Sequence, residues 1–377
     1  MKLGIHKNFI FDIFLSGFFY FQILGINWLS STLSWVLNFA LIILVFTILK
    51  TKLNVSISKM WLFLIFIIFW IMTDLLVLIT DFLDFGFSDL AIGNFYIISL
   101  QIPILALVFY YFLCNDKSYS IFSFISLSLS ILLFFSWLFG FVEEFKYQII
   151  GNIALVSIIL FTKESLLKNK FKFKWIIYLT LFLIILIIGS RQSFLGLLII
   201  FLSNILSKLG KNFFKTSFLI ASLFTLIYIL IPSDFNVENS FPQFSTISRF
   251  IANAQLDSSS NSYRLDSAQI LINNLSWFPN GYGYTTDSYF LEPHNLFLEL
   301  IYLKGYFFGG ILVLTLFLII FQSLYSKDSL VVNYLIIALL IPASVSYSLH
   351  AARFFVVASL VFLIIKSVGI NYKKIKI

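Results

Sequence analysis

Apolar residues run through this chain in blocks of roughly the length that crosses a bilayer, and most breaks between the blocks are short and polar. A transmembrane helix needs about 20 apolar residues, with about 17–25 the usual range. On that measure the sequence predicts spans at 9–27, 29–49, 60–80, 91–113, 119–140, 147–162, 175–189, 194–207, 216–231, 306–325, 329–349 and 354–370. The expected fold class is all-α: one polytopic integral membrane domain over 1–377, with about 12 transmembrane helices. The block at 194–207 is short, so it and 175–189 also read as a re-entrant hairpin around Gly189-Ser190-Arg191-Gln192-Ser193, which lowers the number to about ten. Only the polar stretch 232–305 has room for extramembrane structure.

Composition agrees with the pattern. Hydrophobic residues make up 60% of the 377, against about 45–50% in an ordinary soluble domain. Only 11% are charged and the mean hydropathy is +1.00, which excludes a soluble globular protein, a disordered chain and a nucleic-acid binder despite the net charge of +8. The single cysteine, Cys114, cannot form an internal disulfide, and three histidines without a ligand cluster argue against a structural metal. Lys2 and Lys7 precede an apolar run from Phe9 to Trp28 that has no small-residue cleavage site, so this segment reads as a retained signal anchor.

Charge changes the picture once it is divided by side. Lysine and arginine in short loops hold those loops in the cytoplasm. With the N-terminus inside, nineteen of the 21 lysines fall on the inner side, leaving Lys146 and Lys304 outside, and both termini are cytoplasmic. The four arginines, Arg191, Arg249, Arg264 and Arg353, all fall outside, against that bias. Arginine offers a planar fork that binds phosphate or carboxylate through two hydrogen bonds, so the set points to an anionic ligand at the outer face. For each one, a salt bridge to an acid such as Asp266 or Glu292 is the competing role.

Within 232–305, Asp257-Ser258-Ser259-Ser260-Asn261-Ser262 reads as a turn or cap. From Tyr263 to Trp277, Leu265, Ala268, Ile272 and Leu275 recur at helical spacing and predict an amphipathic helix with Arg264 in its first turn. Pro279-Asn280-Gly281-Tyr282-Gly283 predicts a tight turn, and Pro293 suits a first helical position. His294 would then stand at a helix N-terminus, whose field favours anions and the neutral, base-competent imidazole. A surface histidine is the competing reading, and it weighs more for His350, near Arg353.

No GxSxG, HExxH, Walker or Rossmann pattern occurs in suitable context. The first outer loop, near 27–29, has no acid, and Asp81 and Asp84 are not spaced as DxD, which disfavours metal-dependent catalysis. Asp12 and Asp74 are the main candidates for ionisable groups inside spans, with solvation near an interface as the alternative. Paired discontinuous helices, a transporter signature, are not evident.

Tyr263-Arg264 through Trp277, Pro279 and Gly281-Tyr282-Gly283 to His294-Asn295-Leu296-Phe297-Leu298-Glu299 and Gly305 resembles the signature region of the O-antigen polymerase (Wzy) and O-antigen ligase (WaaL) superfamily. Upstream, Gly189-Ser190-Arg191-Gln192-Ser193-Phe194 looks like that family's Gly-Ser-Arg turn. The resemblance covers roughly the second half of the chain. It implies metal-independent glycosyl transfer at the periplasmic face of the bacterial inner membrane, from an undecaprenyl-pyrophosphate-linked oligosaccharide to a sugar hydroxyl, with no cofactor. By position, Arg191 and Arg264 match the pyrophosphate-binding arginines and His294 the loop histidine, a general base toward the acceptor. Arg249, Arg353 and Asn295 are assigned to sugar or phosphate contacts. The implied partners are the lipid-linked glycan, membrane lipids and a chain-length regulator protein. Polymerase is favoured over ligase because the composition rich in Ile, Phe, Lys and Asn suits an AT-rich, horizontally acquired cluster. A flippase for the same lipid-linked sugars is the competitor from another class.

Overall fold

The computed structural model describes residues 9–24, 43–45, 47, 59–85, 95–141, 147–168, 174–188, 190, 193–201, 269, 271–280, 295–325, 330–345 and 352–368. Within them all regular structure is helical. The elements are α1 (Phe9–Leu24), α2 (Trp61–Phe85), a π-helical turn (Tyr96–Gln101), α3 (Ile102–Cys114), α4 (Asp116–Leu138), α5 (Tyr147–Lys168), α6 (Lys174–Ile188), α7 (193–201), α8 (Leu296–Tyr325), α9 (Leu330–Val345) and α10 (Arg353–Val368). Apart from the start of α8, which falls within the stretch 232–305, each lies on a block predicted as a span. The predicted span 29–49 falls largely, and 216–231 wholly, outside the described residues.

Among the described residues three segments are long and apolar enough to cross a membrane: Trp61–Thr80, Asp116–Leu138 and Leu296–Ser323. The chain is thus a helical membrane protein. Exposed Ile65, Ile68, Met72 and Leu83 on α2, and Leu314, Phe317 and Phe321 on α8, present the apolar surface that lipid covers. By contrast α10 is buried from Arg353 to Ile365, as expected of a helix apolar on every face, and forms the central post with α3. Aromatic rings join α1, α3 and α4, with Phe122 stacked on Phe112 at 4.5 Å and on Tyr20 at 5.1 Å. Small side chains let α4 and α5 approach closely, and there Ser157 lies 2.7 Å from Ser126 and 2.8 Å from Ser130.

Two breaks depart from the predicted spans. The block 91–113 is a π-helical turn followed by α3, not one regular helix. Pro103, in the first turn of α3, has no N–H for the Ser99 carbonyl, and its ring would crowd that oxygen in a continuous α-helix. The wider turn upstream absorbs this conflict.

The second break is at Gly305, whose φ of +74° and ψ of 167° interrupt α8. Phe297 and Phe317 stack with ring centroids 4.9 Å apart, whereas twenty residues of straight helix would hold them about 30 Å apart. Element α8 is therefore a hairpin, with a short arm over 296–304 and a long arm over 306–325. Segment 274–280 seals its tip: the Asn280 amide donates to the Leu303 carbonyl at 3.2 Å, Asn280 Nδ2 to the Tyr302 carbonyl at 3.0 Å, and the Tyr306 amide to the Ser276 carbonyl at 2.8 Å.

The loop predicted to extend to 305 thus ends in a packed helical arm. That arm starts at Leu296 under the Asn295 cap, so Pro293 is not its first residue. The amphipathic helix predicted to reach Trp277 turns at Asn274, leaving Trp277 and Phe278 exposed; its start lies outside the described residues.

A Cβ at Gly305 meets the Trp277 and Phe278 carbonyls and forces a left-handed conformation on an L side chain, whereas one at Gly310 meets open space. Thermal unfolding in detergent should show Gly305→Ala destabilised by at least about 1–2 kcal/mol and Gly310→Ala close to the parent.

Candidate functional site

The short arm of α8 carries a charge into the bundle. Lys304 is 0% exposed and forms an ion pair with Asp74 of α2, also 0% exposed. Lys304 Nζ donates to Thr73 Oγ1 at 2.9 Å and lies 5.4 Å from the Trp70 ring centroid. Ser99 Oγ donates to Asp74 Oδ2 at 2.6 Å. On insertion scales a lone Asp, Lys or Arg at mid-membrane costs about 2.5–3.5 kcal/mol, so each charge requires the other. The sequence reading puts Lys304 on the outer side of the membrane; the structure adds that the turn at Gly305 buries it among the helices. Asp74, left between burial and solvation, is buried.

The π-helical turn extends this polar layer. It presents Ser99 to Asp74 and, two residues on, Gln101 to Gln22 of α1, whose side-chain oxygen accepts from Gln101 Nε2. The Gln22 carbonyl, in the last turn of α1, accepts from Arg353 Nη1 at 2.7 Å. Arg353 therefore sets its positive charge at the last turn of α1, where the helix dipole is negative. It is buried at the head of α10, where the sequence had read it as a ligand contact at a helix end. Asp12 lies toward the other end of α1, fully buried, and accepts from Tyr111 at 3.0 Å and from Ser118 at 2.9 Å. None of these pairings was legible in the sequence, because each joins elements far apart along the chain.

A second polar cluster holds the Gly-Ser-Arg turn. Ser193 Oγ donates to Asn152 Oδ1 of α5 at 2.7 Å, and Ser190 and Ser193 share a hydrogen bond of 2.6 Å. Gly151 faces Ser190, while Tyr178 of α6 donates to Thr162 at 3.5 Å; the numbering of α6 falls as that of α5 rises, so the two are antiparallel. Ser193 meets Asn152 and Gly196 meets Leu155, so α7 runs parallel to α5 and antiparallel to α6. Helices α6 and α7 are therefore antiparallel, an arrangement that two spans and a re-entrant hairpin share. Ser190 and Ser193 lie beside the first turns of α5.

Asn295 is the third fixed point. Its Oδ1 accepts from the amides of Phe297 at 3.0 Å and Leu298 at 3.1 Å, closing the N-terminus of the short arm. The cap occupies that oxygen, which the sequence reading had assigned to substrate. His294, the residue before the cap, lies outside the described residues, as do Arg191, Arg249 and Arg264. Among the described residues no group of three or more His, Cys, Asp or Glu could hold a metal ion.

No protein-family model, no curated protein and no solved structure matches the chain.

Removing one partner of a buried ion pair strands the other charge, at a cost of about 3–5 kcal/mol, whereas replacing both with apolar groups of similar volume is often neutral. Asp74→Leu and Lys304→Met should each lower thermal stability strongly, and the double variant should recover most of the loss. Separately, a side chain at Gly151 would collide with Ser190 and Ser193. Gly151→Val should displace the 189–193 turn, read as faster proteolysis or hydrogen exchange there with α10 unaffected.

Proposed function

We propose that the chain is an O-antigen polymerase, joining undecaprenyl-pyrophosphate-linked oligosaccharide repeat units by metal-independent glycosyl transfer at the periplasmic face of the bacterial inner membrane. On this reading the chain crosses the membrane about twelve times, both termini are cytoplasmic and 232–305 is the periplasmic loop. Membrane lipids surround it, and a chain-length regulator protein is a further partner.

The observation that carries the reading is the ordered motif set from Arg191 through Arg264 to His294-Asn295. Two parts of the geometry support it. Ser190 and Ser193, on either side of Arg191 in the sequence, are hydrogen-bonded to each other, and Ser193 to Asn152 of α5. Asn295 caps the short arm of α8, so the preceding His294 adjoins the positive end of a helix dipole. In this scheme Arg191 and Arg264 bind the pyrophosphate and stabilise the charge that grows as it leaves, in a low-dielectric setting where such contacts act strongly. His294 takes the proton from the attacking hydroxyl, and Arg249 contacts sugar or phosphate.

A ligase that transfers the glycan to lipid A core uses the same groups and is the nearest rival. A flippase is favoured by one observation, the burial of Asp12, Asp74, Lys304 and Arg353 in separate helices. These side chains engage other groups of the bundle, whereas a transporter would line a cavity with them.

Disrupting the gene should leave lipid A core carrying a single repeat unit. Full-length polymer stranded on the carrier lipid would instead identify a ligase. His294→Ala should slow chain extension by about 10²–10⁴-fold, the scale of a lost general base, and Arg264→Ala should also shorten the polymer. Unimpaired polymer length in either variant removes that residue from the site, and tolerance of both points to transport.

A further inference from the structure

We propose that the tip of the α8 hairpin seats Trp277, Phe278 and Tyr306 in the headgroup layer of the bilayer, so that segment 274–280 rests on lipid. The inference needs only that the long arm of α8 crosses the membrane, and it is independent of the glycosyl-transfer reading. Trp277 is 70% exposed and Phe278 75%. The rings of Trp277 and Tyr306 stand 5.8 Å apart between centroids, and Tyr306 and Phe307 are exposed beside them. An exposed apolar patch of this kind marks a contact with a membrane or another protein.

Lipid is the occupant that the surroundings select. On the long arm of α8, exposed Phe307, Ile311, Leu314, Leu318 and Phe321 recur at steps of four and three, which puts them in one stripe along the helix. Phe307 is the end of that lipid-facing stripe, so the patch at the tip continues it. The arm's length sets the depth. From 306 to 325 the helix rises about 30 Å, about the thickness of a hydrocarbon core, so Tyr306 falls at the core's boundary. Ring chemistry suits that level, because Trp and Tyr turn an apolar ring to the acyl chains while the N–H or O–H keeps to the headgroups.

The rings cannot retreat without undoing the hairpin. The Tyr306 amide donates to the Ser276 carbonyl at 2.8 Å, Ser276 Oγ to Asn280 Oδ1 at 2.9 Å, and Asn280 Nδ2 to the Tyr302 carbonyl at 3.0 Å. The Trp277 and Phe278 carbonyls pack on Gly305 itself. The patch is therefore preformed, and the same contacts that close the hairpin hold it at the surface.

The test uses the full chain with Cys114→Ser, which removes the one native thiol, and a fluorescent maleimide at Phe278→Cys or Leu314→Cys. Each protein is reconstituted in phosphatidylethanolamine–phosphatidylglycerol vesicles whose lipid carries a spin label either near the headgroup or deep in the acyl chain, and iodide serves as the aqueous quencher. Leu314→Cys, midway along the stripe, should lose more emission to the deep label. Phe278→Cys should lose more to the shallow label, which places it within about 5–10 Å of the headgroup–acyl boundary, and little to iodide. Stronger quenching at Phe278→Cys by iodide than by either lipid label puts the tip in water, and stronger quenching by the deep label puts it in the core; either result overturns the proposal. Protection from all three quenchers means that the chain itself or a second copy covers the patch, which overturns it equally. Iodide access at Leu314→Cys shows that the arm is no span, and the proposal falls with it. Should Phe278→Cys not fold, quenching of tryptophan emission by brominated lipid in the parent and in Trp277→Phe decides: the variant should lose a component that shallow bromines quench, and an unchanged profile sinks the proposal.

Discussion

Polar groups buried in this bundle have neither water nor lipid to bond with, so each must find a partner on another helix or on its own backbone. That constraint governs the described architecture. Lys304 requires Asp74, and their pairing determines where the arm of α8 after Asn295 lies against α2. Arg353 requires the Gln22 carbonyl and so joins α10 to α1. Asp12 draws Tyr111 and Ser118 to α1 from the two sides of the α3–α4 junction. Lipid supplies no apolar driving force between helices, so such contacts and close packing select one arrangement from many.

The positions of the helices were legible because a bilayer demands long apolar blocks, and the described helices lie on those blocks. What escaped the sequence reading was tertiary. Gly305 looked like the entry to a span, yet its positive φ reverses the chain, and a glycine in sequence does not announce its dihedral angle. The burial of Lys304 has no signal in the sequence for the same reason: only the reversal at Gly305 turns it into the bundle. The π-helical turn could have been suspected from Pro103 inside an apolar block. The contact of Gln101 with Gln22, which the turn makes possible, could not, since it depends on which helices are neighbours.

The candidate site was legible in a different way. The expected motif residues Arg191, Arg264 and His294 lie beyond the described segments, but the residues that flank two of them are described and firmly held. Ser190 and Ser193 lie on either side of Arg191 and bond each other, and Ser193 binds Asn152 of α5. Asn295 follows His294 and caps a helix that is tied at both ends. Chemistry borne by such a loop gains from rigid supports, since catalytic groups must be preorganised while substrates come and go. On the proposed topology lysine, a compact hydrated charge, would dominate the inner loops, and the four arginines would fall on the opposite side.

Under the proposed function this chain extends a lipid-linked glycan with its own side chains and a polyprenyl-pyrophosphate donor. The decisive assay gives purified protein in vesicles undecaprenyl-pyrophosphate-linked repeat units and a chelator of divalent metals. The expected result is a ladder of polymer lengths, with one undecaprenyl pyrophosphate released for each bond formed. Absence of any extension from that donor, or extension that depends on added metal, would contradict it.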